Sequence, residues 1–365
     1  MYGYEEIRMV HLEITDKCNA ACPQCPRNEQ GGKTNPLLSL TELRLDEIRK
    51  IFPADFVRQL RTIFLCGNFG DASIARDTMD ILRYFRQENE RLDLGIYTNG
   101  GARRPEWWAE LGSLLKKGCG FARFGIDGLE DTNHLYRRNV RWSAVMQNVK
   151  AFIDAGGNAE WDFIVFRHNE HQVEEAMDLA SKLGFSRFFA KKTSRFMDYH
   201  SLTPLEKTPV RDKAGRVEYF IMRPINSDWH NKALEMISEV SLRKGGIFSY
   251  LDTTPISCKA IDEKAIFVSA DGYVFPCCWL AFHVHGQLME SKEFNRFVGQ
   301  SGGLELLNAK TLPLREIVEG RFFKSDVPKS WAKKSVSEGR IKTCAGMCGK
   351  ELNYWYLEQQ QKRLL

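Results

Sequence analysis

Three cysteines lie within eight residues in the stretch "CNAACPQC", as Cys18, Cys22 and Cys25, directly after the first strand-like run of the chain. In a compartment that keeps thiols reduced, cysteines at such spacing are more often metal ligands than disulfides. Three thiolates bind three irons of a 4Fe-4S cube and leave the fourth iron open to a bidentate ligand, such as the amine and carboxylate of an amino acid. A zinc knuckle with a distant fourth ligand is the alternative.

Strand-like and helix-like runs alternate as far as Lys192. The six strand-like runs are "IRMVHLEIT", "TIFLC", "LDLGIYT", "FARFGI", "AEWDFIVF" and "SRFFAKK", and five helix-like runs separate them. This alternation predicts a parallel sheet, and six units over about 190 residues favour an α/β fold with an open, partial (β/α)6 TIM-type barrel. Ligands of such sheets gather beyond the C-terminal ends of the strands, which is where the three cysteines lie.

The cysteine spacing of three residues and then two, in this strand context, resembles the signature of the radical S-adenosylmethionine (SAM) superfamily. The resemblance implies that Cys18, Cys22 and Cys25 hold a [4Fe-4S] cluster and that SAM binds its open iron. It further implies that the reduced cluster cleaves SAM to methionine and a 5'-deoxyadenosyl radical, which abstracts hydrogen from a substrate. One position departs from the pattern: the residue before the third cysteine is usually aromatic and packs on the adenine, whereas here it is Gln24.

The resemblance also implies a set of SAM contacts at the ends of later strands. A glycine-rich motif that binds the SAM amino group is expected after strand two, and polar residues near SAM are expected after strands three, four and five. The corresponding residues are Gly67, Asn68, Phe69, Gly70, Asp71, Thr98, Asn99, Asp127 and Asn169. Ordinary turns are the alternative for each, and Asp127 either bonds a hydroxyl group or makes an Asx turn with Gly128.

A second cysteine pattern follows residue 250 and resembles the twitch domain, the shortened relative of the SPASM domain that many radical SAM enzymes carry. A hairpin turning at Asp271-Gly272 brings Cys258 toward Cys277, and the resemblance implies that Cys344 and Cys348 complete the ligands of one auxiliary [4Fe-4S] cluster. A four-cysteine zinc site is the alternative. Because side chains alternate along a strand, Cys278 is expected to be a core thiol, and Cys66 and Cys119 are interpreted as small hydrophobes.

Four segments are expected: residues 1–195 as a radical SAM partial barrel core, 196–249 as a linker or insert with one helix, 250–349 as a twitch domain of a β-hairpin plus helix, and 350–365 as a C-terminal tail. Lys191, Lys192 and Arg195 follow strand six and are candidate contacts of an anionic or richly hydroxylated substrate, with a solvated basic turn as the alternative. Strand alternation allows at most one of the two lysines to point into the barrel.

Composition limits the partners. The formal charge of +5 comes from 52 basic and 47 acidic residues without a long single-sign run, so no nucleic acid partner is expected. The N-terminus is acidic where a secretory signal is basic, and no apolar run approaches the roughly 18 residues of a membrane span. We therefore expect a cytoplasmic protein without a membrane partner.

Three functions fit these features. A fully ligated auxiliary cluster has no open iron, so by analogy it accepts the electron of the substrate radical, which favours an oxidoreductase that dehydrogenates a small polar metabolite, similar to the aminocyclitol dehydrogenases with a twitch domain. The alternative is a peptide maturase forming a crosslink or an epimer with a separate leader-binding partner, because strand one begins within about six residues of the first residue. A non-catalytic electron carrier is the third. An electron donor such as flavodoxin or ferredoxin is the expected protein partner.

Overall fold

The computed structural model describes residues 1–198, 203–285, 291–351 and 360–365. Its first part consists of β1 (Met9–Leu12), α1 (Leu45–Ile51), α2 (Ala54–Gln59), β2 (Thr62–Leu65), α3 (Thr78–Glu88), β3 (Asp93–Thr98), α4 (Pro105–Leu114), β4 (Gly120–Gly125), α5 (Asn133–Tyr136), α6 (Trp142–Asp154), β5 (Ala159–Ile164), α7 (Val173–Leu183) and β6 (Arg187–Lys191). Strands β1 to β6 are parallel neighbours in chain order. The predicted parallel α/β sheet is confirmed.

The second part consists of β7 (Met197–Asp198), β8 (Thr203–Pro204), β9 (Lys207–Arg211), β10 (Val217–Met222), α8 (Ala233–Lys244), α9 (Ile247–Thr253), α10 (Lys259–Glu263), β11 (Ala265–Val268), β12 (Val274–Phe275), α11 (Cys278–Ala281), α12 (Ser291–Gln300), α13 (Leu314–Glu319), α14 (Val327–Ser330), α15 (Lys342–Cys348) and β13 (Gln361–Arg363). In the part of the chain that the structure describes, every helix is too short or too polar to cross a membrane.

The sheet continues beyond the six predicted strands at both edges. Strand β11 is a parallel neighbour of β1, with Ala265 beside Met9, and β12 returns antiparallel to β11 in the expected hairpin. On the other edge β13 pairs antiparallel with β6. The hairpin of the expected twitch segment therefore extends the barrel sheet and does not form a separate sheet. Of the expected tail, residues 352–359 lie outside the described residues.

The two faces of the sheet differ in chemistry because side chains alternate along each strand. The outer face is apolar and packs against the helices; Trp161 contacts Phe185 and Phe188 there and is fully buried. Each such side chain stabilises the fold by about 1.5–3 kcal/mol. The inner face instead presents polar side chains such as Arg123 and Asp162, which line the space that we call the lumen.

The expected linker contains one predicted and one unpredicted element. Helix α8 ends at Lys244, and Gly245 caps it in the left-handed conformation (φ 72°), as the glycine pair of the sequence predicts. The antiparallel hairpin β9–β10 was not predicted from this Pro-containing stretch. Its Arg211 N–H donates to the Gln30 carbonyl, and the Tyr219 hydroxyl donates to the Leu135 carbonyl, so the hairpin lies against the loop that follows β1.

Candidate functional site

The first cysteine set lies on the loop that leaves β1. The Cys25 N–H donates to the Cys22 carbonyl at 3.0 Å, and the Ala20 N–H donates to the Cys18 sulfur at 3.4 Å, so a tight turn holds the three residues together. Burial, with smaller contributions from Asp71 and Cys22, raises the pKa of the Cys18 thiol well above its usual value. The pKa of Cys22 is raised to about 11, because burial outweighs the lowering effect of Arg137. A metal that replaces these protons removes the cost of ionising buried thiols.

A buried ion pair supports this set. Asp127, which is fully buried, accepts a 2.6 Å hydrogen bond from Arg137 Nε and a 2.7 Å bond from the Ile164 N–H. Arg137 Nη1 lies 3.7 Å from the Cys22 sulfur. Although burial opposes it, the negative charge of Asp127 and Cys22 raises the pKa of Arg137. Arg137 therefore carries a permanent positive charge against a candidate cluster ligand.

Asp71 organises a second polar network beside Cys18. Its carboxylate accepts hydrogen bonds from the Thr98 hydroxyl at 3.0 Å, from the Asn99 N–H at 2.8 Å and from Asn99 Nδ2 at 2.7 Å. Asn99 Nδ2 also lies 3.7 Å from the Cys18 sulfur. The loops after β1, β2 and β3 thus meet at one point, as the sequence predicts for the C-terminal ends of parallel strands.

The glycine-rich loop approaches backbone of its own chain. A Cβ atom on Gly70 would lie 1.8 Å from the Thr15 carbonyl oxygen, and one on Gly67 would lie 2.0 Å from the Gly70 carbonyl oxygen. Glu13 Oε1 accepts hydrogen bonds from the N–H groups of Phe69 at 2.7 Å and Gly70 at 3.0 Å. The glycines therefore let this loop close on the loop of the first cysteine set.

The other side chains of this loop are engaged in different ways. Phe69 is buried and packs edge-on against Phe282 and His285, so it contacts the C-terminal part of the chain. Asn68 Nδ2 is buried and has no hydrogen-bond partner among the described residues. Asn68 thus presents a donor group beyond the C-terminal end of β2, whereas Phe69 packs against the C-terminal part of the chain.

Two predicted SAM contacts are occupied by protein partners. The Asn169 side chain, fully buried, donates to the carbonyl groups of Asp127 and Ile164 and accepts from the Phe166 N–H. The Asp127 carboxylate accepts hydrogen bonds from Arg137 Nε and the Ile164 N–H, so its protein partners lie outside the alternative Asx turn with Gly128. Both side chains brace the loops after β4 and β5, and their cofactor roles stay predictions.

Gln24 is held at its amide end. Its Nε2 donates to the Thr208 hydroxyl of β9 at 3.1 Å, and its backbone carbonyl oxygen accepts from Arg195 Nη1 at 3.1 Å. The unpredicted hairpin therefore fixes the residue at which the sequence departs from the superfamily pattern. Arg195, a candidate substrate contact, binds the cysteine loop in this arrangement.

The second cysteine set also comes together. Interaction between the thiols of Cys258 and Cys348 raises the pKa of Cys258 and lowers that of Cys348. Burial raises the pKa of Cys277 to about 12 and that of Cys344 still higher, and the thiol of Cys348 contributes to both increases. A backbone hydrogen bond from the Ser257 N–H to the Cys348 carbonyl joins the two segments.

Cys278 differs from the expectation in its backbone. Strand β12 ends at Phe275, Pro276 follows, Cys277 caps helix α11, and Cys278 is the first residue of that helix. Strand alternation therefore does not separate Cys277 from Cys278; the start of a helix does. Cys278 is buried, as expected for a core thiol.

The two cysteine sets lie at opposite ends of the strands of the sheet, the first beyond the C-terminal end of β1 and the second near the N-terminal end of β11. Cys258 precedes α10, which leads to Ala265, the register partner of the first residue of β1, whereas Cys18 follows the last strand residue of β1. Tyr2 lies at the N-terminal end of β11, where its hydroxyl donates to the Ala265 carbonyl. Burial raises the pKa of Tyr2, and the thiols of Cys258 and Cys277 add to this increase. At about 3.3 Å per strand residue, the two ends of the strands are ~10–20 Å apart.

The charged lumen lies between the two ends of the strands, and of its charged residues only Lys191 is a candidate from the sequence. Lys191 pairs with Asp162 there, and Arg123 donates a 2.8 Å hydrogen bond from Nε to Glu160. Lys192 lies just beyond β6, where its N–H donates to the Gln360 carbonyl, and burial and the positive charges of Lys362 and Lys232 lower its pKa. Of the two adjacent lysines, Lys191 is the one that forms an ion pair with the lumen carboxylate Asp162.

Sequence signals for the missed residues exist. Charged or polar side chains recur at every second position of strands that are otherwise apolar, as in Glu160 and Asp162 of β5 or His11 and Glu13 around the end of β1. Such positions face the same side of a sheet. Arg137 has no comparable signal, because it lies in a turn and reaches Cys22 only through the tertiary fold.

The donor chemistry of both sets fits iron-sulfur clusters. Each set supplies soft thiolate ligands, three in the first and four in the second, which are the numbers for an open and a fully ligated cube. Across the described ranges no group of three or more His, Cys, Asp or Glu side chains is arranged to hold a single metal ion. In a cube each thiolate binds its own iron, so the ligands need not converge on one point.

Comparison with known proteins agrees with this geometry. Residues 12–180 match the family model described as the radical SAM superfamily. The chain is 30% identical over 151 residues to GTP 3',8-cyclase from Pectobacterium atrosepticum, which is 40% of this chain and 43% of that protein. It is 27% identical over 170 residues to GTP 3',8-cyclase from Cronobacter sakazakii, which is 45% of this chain and 49% of that protein. The matches thus span less than half of these relatives.

The fold is shared with a solved radical SAM protein. The structure of a polyhistidine-tagged anSMEcpe with bound AdoMet superposes with a TM-score of 0.51 at 13% identity, over 87% of this chain and 78% of that one. At this identity the likeness is one of fold. The segment 12–180, which matches the radical SAM superfamily model, includes the three-cysteine loop after β1 and strands β2 to β5 of this fold.

Proposed function

We propose that this chain is a radical SAM oxidoreductase that dehydrogenates a small polar substrate bound in the lumen. The proposal assigns one cluster to Cys18, Cys22 and Cys25 and an auxiliary cluster to Cys258, Cys277, Cys344 and Cys348. The observation that carries it is the placement of the two cysteine sets at opposite ends of the strands of one sheet, with a charged lumen between them. A substrate in the lumen lies between the two sets.

Residues around the first cysteine set prepare the site at which SAM is expected to be cleaved. Asp71 positions Asn99 against Cys18, Arg137 places a positive charge on Cys22, and Glu13 holds the loop at which the SAM amino group is expected. When bound and reduced, the first cluster supplies the electron that cleaves SAM into methionine and a 5'-deoxyadenosyl radical. These residues fix the loops before SAM binds, so little ordering is required at the moment of reaction.

The proposed oxidation balances as follows. The substrate loses one hydrogen atom, with its electron, to the 5' carbon of the radical, and its second hydrogen leaves as a proton to solvent. An auxiliary cluster held by Cys258, Cys277, Cys344 and Cys348 would supply the one-electron acceptor for the electron left behind. The likeness to GTP 3',8-cyclases spans less than half of this chain and less than half of those proteins, so it does not indicate a particular substrate.

Single cysteine variants separate the two halves. In dithionite-reduced, reconstituted protein without substrate, we expect Cys22→Ala to abolish 5'-deoxyadenosine formation. Cys344→Ala should retain it, because the two cysteine sets lie at opposite ends of the strands. With a substrate that the wild type oxidises, Cys344→Ala should form no oxidised product. Cys278→Ala is the matched control and should behave as wild type. SAM cleavage by Cys22→Ala, or normal product yield from Cys344→Ala, would refute the proposal.

A further inference from the structure

The charges of the lumen are already paired. Arg123 contacts Glu160 through a 2.8 Å hydrogen bond and reaches Asp162 at 3.9 Å, and Lys191 forms an ion pair with Asp162. Arg187 also pairs with Glu160, at 3.0 Å. These cations therefore have carboxylate partners, and a phosphate group entering the lumen would first have to separate an existing pair.

One oxygen of the lumen lacks a hydrogen-bond donor. Asp162 is 7% exposed; its Oδ2 binds Lys191, whereas Oδ1 accepts no hydrogen bond from any described residue and has only the 3.9 Å approach of Arg123 Nε. A buried carboxylate oxygen without a donor is energetically costly, so native proteins usually satisfy it. This unpartnered acceptor therefore points to a donor group on a ligand.

The position of Asp162 suits a reacting group. It lies beside Gly125 in the register of β4 and β5, two residues before Ile164, whose N–H binds the Asp127 that holds Arg137 at Cys22. Two strand residues span roughly 7 Å.

We infer that the lumen binds a small, phosphate-free molecule that presents a hydroxyl or ammonium group to Asp162 Oδ1, with Asp162 as the specificity-determining residue. This inference rests on the proposed function, because it takes the lumen as the substrate site. It replaces the broader expectation of an anionic or hydroxylated substrate, since Lys191 is neutralised by Asp162 and Arg195 binds the cysteine loop. It also separates this chain from a triphosphate substrate such as GTP.

The test compares three matched probes on the reconstituted protein with SAM: glucosamine, glucose and glucosamine 6-phosphate, with binding measured by calorimetry. We expect the wild type to bind glucosamine at least ~10-fold more tightly than its phosphate, because the phosphate meets a neutralised lysine. Asp162→Asn should weaken glucosamine binding by ~10-fold or more and strengthen binding of the phosphate, because Lys191 loses its partner. A general structural defect would weaken both.

Further variants keep the test decisive. Asp162→Asn/Lys191→Gln removes both charges of the pair, so it should lose the preference for glucosamine without gaining affinity for the phosphate even if the single variant folds poorly. Asp178→Asn, on the exposed face of α7, is the control and should bind as wild type. Tightest wild-type binding of the phosphate or GTP, an unchanged preference in Asp162→Asn, or no binding of glucosamine and glucose would overturn the inference. Formation of 5'-deoxyadenosine without substrate tests the proposed function separately.

Discussion

Glu13 illustrates how a single buried group supports the site. Its carboxyl group accepts the N–H groups of Phe69 and Gly70, and burial raises its pKa from 4.5 to about 8, with smaller contributions from Asp16 and Asp271. The folded protein thus keeps this group protonated at pH values where the unfolded chain has lost the proton. Folding stability must then fall as pH rises from about 4.5 to about 8.

We expect Glu13→Gln to flatten this dependence. Glutamine keeps an oxygen for both N–H groups and has no charge to bury, so the variant should be more stable than wild type at pH 8 by on the order of 3 kcal/mol and similar to it near pH 4.5. Urea unfolding of the metal-free protein at several pH values measures the difference. Glu235→Gln, on an exposed face of α8, is the control. Parallel curves for wild type and Glu13→Gln would contradict the argument.

At the same scale, the sequence identifies residues with local signatures and misses those defined by tertiary contact. Thr98, Asn99 and Asp71 were predicted because they follow strands, and the structure brings them to Cys18. Arg137 was missed because no spacing connects it to Cys22. Asp127 and Asn169 stay predicted cofactor contacts, and their bracing of the loops after β4 and β5 has no sequence signal, because it depends on tertiary hydrogen bonds.

Among the elements, the loop after β2 depends on contact between two backbones. Gly70 passes so close to Thr15 that a methyl group has no space, since its Cβ would lie 1.8 Å from a carbonyl oxygen. The same loop carries Asp71, whose N–H donates to the Lys17 carbonyl. Close approach at Gly70 thus holds the Asp71 network in register with the first cysteine set.

Gly70→Ala should therefore separate the two loops. We expect a loss of about 3 kcal/mol in the free energy of unfolding, as for other overpacked positions, together with weaker SAM binding by the reconstituted protein. Gly299→Ala is the matched control: its Cβ would meet no atom within 4 Å, and alanine within helix α12 should add about 0.5–1 kcal/mol. Thermal and urea unfolding with SAM titration measure both. Normal SAM affinity in Gly70→Ala would contradict the proposed coupling.

Element prediction succeeded where the signal is periodic and local. The six strands and five helices of the barrel have strong patterns, and the structure contains all of them, with β1 ending at Leu12 earlier than its apolar run. The pairing of β11 with β1 and of β13 with β6 joins residues more than 150 positions apart, which no local pattern encodes. Hairpin β9–β10 was missed because Pro209 lies within its first strand.

For the molecule as a whole, the important property is the independence of the two cysteine sets. The first set depends on the loops after β1 to β4, whereas the second depends on α10, α11 and α15, near the opposite ends of the strands. The lumen, with its ion pairs, lies between them. Two connections between them are the pairing of β1 with β11 and the packing of Phe69 on Phe282 and His285 just beyond α11.

Iron content should therefore divide between the two sets. Anaerobically reconstituted protein is expected to hold about eight irons per chain. The variant with Cys18, Cys22 and Cys25 replaced by alanine should hold about half of that, because the second set keeps its four thiolates.

Cys277→Ala should lose iron from the second set. The matched variant Cys278→Ala should keep the iron content of the wild type, because the Cys278 thiol packs in the core. Iron and sulfide analysis with electron paramagnetic resonance measures each variant. Full iron in the triple variant, or zinc in the native protein, would show that the cluster assignment is wrong; equal loss in Cys277→Ala and Cys278→Ala would remove the distinction between the two thiols.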